Sequence, residues 1–341
     1  MNKKILAIID SEESYAFGLT DFLSDKSNLP FRVHLFTSCT YFENFEDKDM
    51  IESLLISERS YCPEILEYHI PHIIILSETG NLLERTLHHI NKYQPCENIY
   101  KEILKYYTEN LDYSADILRL NAHKLKIIGI YTPIGRCLQT TFAFALGQLI
   151  SKSHKALYLN FERYSGLSTM MRREFSSDIS DLMYYFECAK EKLTYRIESM
   201  VENVNGLDFI PPVNVFGNLV GIKGRQWLEL FEEMERCTEY EYLILDLTDG
   251  MLDLWDVLRG CDTVFTISRQ DPLALAKTEQ YKKAIEQADY KDVLNKTTIC
   301  KFPIFHDIPQ KFDELTKSEL AIYIKNNILP NISGYEDLVN V

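Results

Sequence analysis

Three short stretches of this chain carry residue types that could handle a phosphorylated ligand. The first is Thr132-Pro133-Ile134-Gly135-Arg136-Cys137-Leu138-Gln139-Thr140-Thr141, between an apolar strand and an apolar helix. A loop that cradles phosphate needs glycines, so that backbone N–H groups can approach, and a lysine to neutralise β/γ charge. Gly135 is the one glycine there, and Gln139 fills the lysine position. Candidate nucleotide contacts are therefore Gly135, Arg136, Gln139, Thr140 and Thr141. Arg136 could clamp a phosphate bidentately, although its bulk obstructs close approach to the backbone. The second stretch ends in Asn160 and Glu162, where an acid would place an attacking water. The third ends in Asp246, which with the Thr140 hydroxyl could hold Mg²⁺. Each also has a plain structural reading: Thr140 suits a helix start, and Asp246 could cap the turn after its strand.

The elements that must position these residues alternate strand and helix. Ile127–Tyr131 is an expected strand, Thr140–Ile150 a helix, and Lys155–Glu162 and Tyr240–Asp246 further strands. Thr263–Ser268 is another, and Asp271-Pro272 opens a helix as N-cap and first helical residue. Taken in order, Lys126 to about Ile328 resembles the ParA/MinD family of P-loop ATPases, whose loop reads roughly S-x-K-G-G-x-G-K-T-T before an A-x-x-L-A helix. On that pattern Ile134 takes the signature lysine, Gly135 keeps the first glycine, and Arg136 and Leu138 replace the other two. Gln139 replaces the loop lysine, and Thr140 and Thr141 match. The resemblance implies ATP or ADP with Mg²⁺ as ligands. With Ile134 and Gln139 in place of both lysines, it implies a pseudo-ATPase in which Asn160, Glu162 and the Thr140–Asp246 metal pair are vestiges.

The first part of the chain alternates in the same way. Lys3–Asp10, Phe31–Phe36, Glu52–Ser57, His72–Ser77 and Ile90–Tyr93 read as strands, with helices over Glu12–Leu23 and about Cys96–Tyr107. Continuous apolar runs between polar turns predict a parallel sheet covered on both faces. The region resembles a response-regulator receiver, which is flavodoxin-like and is phosphorylated on an Asp after its third strand. Ser57-Glu58 stands there instead. Asp10 and Glu12 represent the acidic pair, Ser77 or Thr79 the hydroxyl, and Lys92 the lysine. The resemblance therefore implies a pseudo-receiver.

The expected architecture is α/β with two doubly wound domains, 1–108 and 125–341, joined by a linker over 109–124. Among 341 residues the net charge is −15, which opposes non-specific nucleic-acid binding. No apolar run approaches a transmembrane length, and the N-terminus reads as a strand, so a cytoplasmic protein without membrane insertion is expected. The eight cysteines (39, 62, 96, 137, 188, 237, 261, 300) include no C-x-x-C pair, against both zinc and a disulfide framework. A C-terminal helix over about Phe312–Ile328 is too acidic for a membrane anchor. The domain order resembles the TadZ/CpaE proteins. That implies a scaffold, possible as a homodimer, that positions a pilus-assembly or secretion machine through protein partners. The competing expectation is a Mg-ATP-dependent dimerising switch with slow ATPase activity.

Overall fold

The computed structural model describes residues 3–26, 28–80, 84, 86–110 and 124–332. Most of the expected 109–124 linker lies outside the described residues. The chain forms two compact units: 1–117 with 194–199, and 118–193 with 200–341.

The first unit comprises β1 (Lys4–Ile9), α1 (Glu13–Ser24), β2 (Phe31–Phe36), α2 (Cys39–Glu43), β3 (Ile51–Ser57), β4 (His72–Ser77), β5 (His88–Asn91) and α3 (Cys96–Asn110). The five strands are parallel in the order β2-β1-β3-β4-β5, the flavodoxin-like doubly wound order. Two apolar clusters cover the two faces of this sheet, one built on Leu6, Leu55 and Leu76, the other on Ala7, Ile56 and Ile75. Those residues alternate along each strand, as a sheet buried on both sides requires. Helical cover is thin. A 3₁₀ turn, Pro63–Tyr68, stands where an α-helix would link β3 to β4. The fifth strand starts two residues earlier than the sequence predicts.

The second unit begins with β6 (Lys126–Tyr131), α4 (Gln139–Ile150), β7 (Ala156–Asn160), α5 (Leu167–Met171), α6 (Ile179–Cys188) and α7 (Leu193–Met200). Residues 194–199 of α7 belong to the first unit, where Tyr195 joins the cluster around Tyr107. The chain continues through β8 (Glu202–Val204), β9 (Leu207–Ile210), α8 (Gly224–Cys237), β10 (Tyr242–Asp246), α9 (Leu254–Gly260) and β11 (Thr263–Ser268). It closes with α10 (Pro272–Gln287), α11 (Lys291–Asn295), β12 (Thr297–Lys301) and α12 (Glu319–Asn327). Strand order is β12-β11-β6-β10-β7-β9-β8, with β8 antiparallel to β9 and the other pairs parallel. The continuous C-terminal helix expected over 312–328 divides into a 3₁₀ turn and α12. Ser318 interrupts it because its hydroxyl accepts the Ala321 N–H as an N-cap.

Central β10 lies between β6 and β7, and Asp246 pairs in register with Ile130 on one side and Asn160 on the other. The carboxyl ends of three strands therefore meet, with the start of α4 beside them. In an open parallel sheet this is where a ligand site is built. Gly147 lets α4 lie close to that sheet: a Cβ there would stand 2.6 Å from Leu207 Cδ2 and 3.0 Å from Ile244 Cδ1.

Candidate functional site

Asp246 is the centre of the second unit's site and is fully buried. Its Oδ1 accepts a hydrogen bond from Gln139 Nε2 at 2.5 Å. Its Oδ2 accepts three: Thr140 Oγ1 at 2.7 Å, Tyr158 OH at 2.8 Å and Asn160 Nδ2 at 2.9 Å. Strand geometry explains the convergence. Tyr158 and Asn160 are two apart on β7 and share a face, while Gln139 and Thr140 form the first turn of α4. Burial raises the Asp246 pKa above the ordinary aspartate value, and the bonds from Gln139, Thr140 and Tyr158 oppose that rise. Burial and the Asp246 charge push the Tyr158 phenol well up, so it remains a donor.

The orientation of Gln139 follows from its partners. Its Nε2 also donates to Leu247 O at 2.8 Å. Both partners are acceptors, so both amide hydrogens are committed. Oε1 is buried without a hydrogen-bond partner among the described residues. The neutral amide thus staples α4 to the end of β10.

The preceding loop holds its shape through unusual backbone. Gly135, Arg136 and Leu138 have φ of 67°, 48° and 66°. For arginine and leucine the left-handed region costs roughly 1–2 kcal/mol each. Thr132 anchors the loop mouth by donating to Ile267 O at 2.7 Å and accepting the Ile134 N–H at 3.2 Å. Gly135 and Arg136 are exposed, and Thr141 is half-buried in the first turn of α4.

Glu162 stands at the edge of this network. Its N–H donates to Asn160 Oδ1 at 2.9 Å. Burial first, and the Asp246 charge second, raise its carboxyl to about 7, against a lowering hydrogen bond from Thr140. Gln139, Thr140, Asn160, Glu162 and Asp246 are thus brought together, while Gly135 and Arg136 stand apart from the network. Tyr158 was missed by the sequence reading, although its place two residues before Asn160 on one strand was the available signal. This donor set is a poor fit for Mg²⁺. A cation would have to compete with neutral donors of the chain itself, three of them on Oδ2 and one on Oδ1.

The first unit has a second polar cluster at its strand ends. Lys92, fully buried, lies 2.9 Å from Asp10, 3.0 Å from Glu12 and 3.1 Å from Glu78. Burial alone would lower its pKa, but the bonds to these carboxylates outweigh that and raise it. Glu58 accepts from Thr79 Oγ1 at 2.6 Å, Glu78 N at 2.6 Å, Thr79 N at 3.0 Å and Ser77 Oγ at 3.1 Å. The Thr79 hydroxyl, then the two N–H groups, hold its carboxyl down to about 2. Ser57 turns to Ser60 at 2.9 Å. Asp10, Glu12 and Lys92 therefore meet, Glu78 is an addition from tertiary structure, and Glu58 turns to Ser77, Glu78 and Thr79 instead.

No protein-family model matches the chain, and no curated protein does. Among solved structures it is similar to apo McdA from Cyanothece, at 15% identity and TM-score 0.43 over 63% of this chain and 99% of that one. It is also similar to the Aquifex aeolicus MinC:MinD cell division protein complex (15%, TM-score 0.40, 63% and 77%) and a ParA family ATPase from Chlorobium tepidum (17%, TM-score 0.43, 56% and 78%). Likenesses this distant carry no functional argument.

Proposed function

We propose that the second unit is a non-catalytic, ParA/MinD-like scaffold that turns over no ATP. The observation that carries this reading is the Gln139 amide, committed to Asp246 and Leu247 O where a cation should face phosphate. Removing such a phosphate clamp costs several kcal/mol of transition-state stabilisation. A divalent cation bound to Asp246 would have to compete with the four donors that the carboxylate already accepts. By the resemblance in domain order, the scaffold positions a pilus-assembly or secretion machine through protein partners in the cytoplasm. On the same resemblance the first unit is a pseudo-receiver kept for its surfaces. Acetyl phosphate should then add no phosphoryl group to any aspartate, as read by intact-protein mass spectrometry.

The decisive test is calorimetric titration of the full chain with ATP and Mg²⁺. No heat of binding and no hydrolysis above background are expected from wild type. Arg136→Gly, Leu138→Gly and Gln139→Lys together should gain binding, because they restore the backbone nest and the cation. Hydrolysis should stay poor while Ile134 and Asn160 remain. The competing reading, a Mg-ATP switch, draws on the convergence of Thr140, Glu162 and Asp246. Wild-type hydrolysis abolished by Asp246→Ala would establish it and refute the scaffold.

A further inference from the structure

Two of the eight cysteines, remote in sequence, meet in the first unit. Cys39 opens α2, and Cys62 immediately precedes the 3₁₀ turn at Pro63. Both pack against the cluster that holds Phe36, Phe42 and Ile65. Both residues are only half-buried, so a small reagent can reach them, and each thiol influences the ionisation of the other. Cys39 also directs its S–H at Ser60 O, 3.1 Å away. By contrast Cys137, Cys261 and Cys300 are buried, and Cys188 is exposed.

We propose that Cys39 and Cys62 are a thiol-redox modification site, closing reversibly to a disulfide with a small-molecule disulfide such as oxidised glutathione as oxidant. Cys62 is the attacking sulfur: burial and then Glu64 raise its thiol, but Cys39 and the Ile65 N–H oppose that rise, whereas burial, Cys62 and Glu43 all raise Cys39. The Cys62 thiolate attacks the oxidant, releasing one glutathione thiolate and leaving a mixed disulfide. Cys39 then gives up its proton, attacks Cys62 Sγ and expels the second glutathione. Two cysteine thiols are oxidised, one external disulfide is reduced, and the two thiol protons leave with the released glutathione.

The surroundings make the pair slow to react at neutral pH. Burial, then the adjacent Cys62 and Glu43, push the Cys39 thiol up to about 11. Burial and Glu64 raise Cys62 as well, and Tyr61 and Tyr68 complete the titratable groups that face the two sulfurs. Oxidation should therefore accelerate as pH rises. Closure exchanges the Cys39–Ser60 hydrogen bond for a covalent link between α2 and the segment that carries Glu58 and Arg59.

The test is peptide mapping of the full chain under non-reducing conditions, after oxidised glutathione treatment and alkylation of remaining thiols. The expected product is a Cys39–Cys62 cross-linked peptide, in excess over any other pair and lost on reduction, while exposed Cys188 carries glutathione. Cys39→Ser should arrest Cys62 at the mixed disulfide. Recovery of Cys39 and Cys62 alkylated, or as separate glutathione adducts, while Cys188 reacts would overturn the proposal. The wild-type map alone decides this, whether or not the variant folds.

Discussion

At the scale of residues, Asp246 and its four donors make one unit of energy. Asp246→Ala leaves Gln139, Thr140, Tyr158 and Asn160 facing a void. Urea denaturation should show a loss of about 3–5 kcal/mol, because buried donors without an acceptor pay their full desolvation. Tyr158→Phe removes one donor of four and should cost only about 1–2 kcal/mol. Near-equal losses would mean that the four bonds do not act on one carboxylate. Glu162 sets a pH dependence. Its folded pKa of about 7 lies above the unfolded 4.5. The stability tied to its proton is therefore complete below pH 4.5 and lost as pH climbs through 7. Glu162→Gln should flatten that decline and exceed wild type near pH 8 by about 1 kcal/mol, after discounting for partial exposure. A variant less stable than wild type at that pH would reverse the sign and reject the assignment.

At the scale of elements, the end of β3 behaves oppositely. Glu58 is held down to about 2 by donors on the segment after β4. Its contribution is present above the unfolded value of 4.5 and lost as pH falls toward 2. Acid titrations of Glu58→Gln should show that portion of the transition missing, and stability already lower at neutral pH. Packing of α4 gives another test. Gly147→Ala gains about 1 kcal/mol in helix propensity, yet its methyl would press on Leu207 and Ile244. A net loss of about 1–2 kcal/mol is expected, partly recovered by Leu207→Val.

Strands β4 and β11 lie where their apolar runs place them, because burial on both faces writes a continuous signal. The elements from α6 to α8 are not legible in the sequence, since the short helices and the β8–β9 hairpin carry too few periodic positions. The members of the Asp246 network were legible at strand and helix ends. Their state was not: whether Gln139 faces a ligand or its own backbone depends on how closely α4 approaches β10. Likewise nothing in Ser57-Glu58 announces that Glu58 will find four donors at and just beyond the end of the next strand.

At the scale of the whole molecule, a net charge of −15 should prevent association with random duplex DNA even at low salt, since few counterions can be displaced. An electrophoretic shift that vanishes on adding salt would contradict this. Among the described residues no helix is long and apolar enough to cross a membrane. The assignment of residues 194–199 to the first unit has a different kind of consequence. The polypeptide enters the second unit, returns a helix to the first, and leaves again. Scission at one peptide bond cannot yield two whole pieces: a fragment ending at 117 lacks Tyr195, and its complement keeps a helix without a home. Gene fusions or truncations drawn at the 109–124 boundary should give insoluble or protease-sensitive products, while co-expressed halves could reassemble.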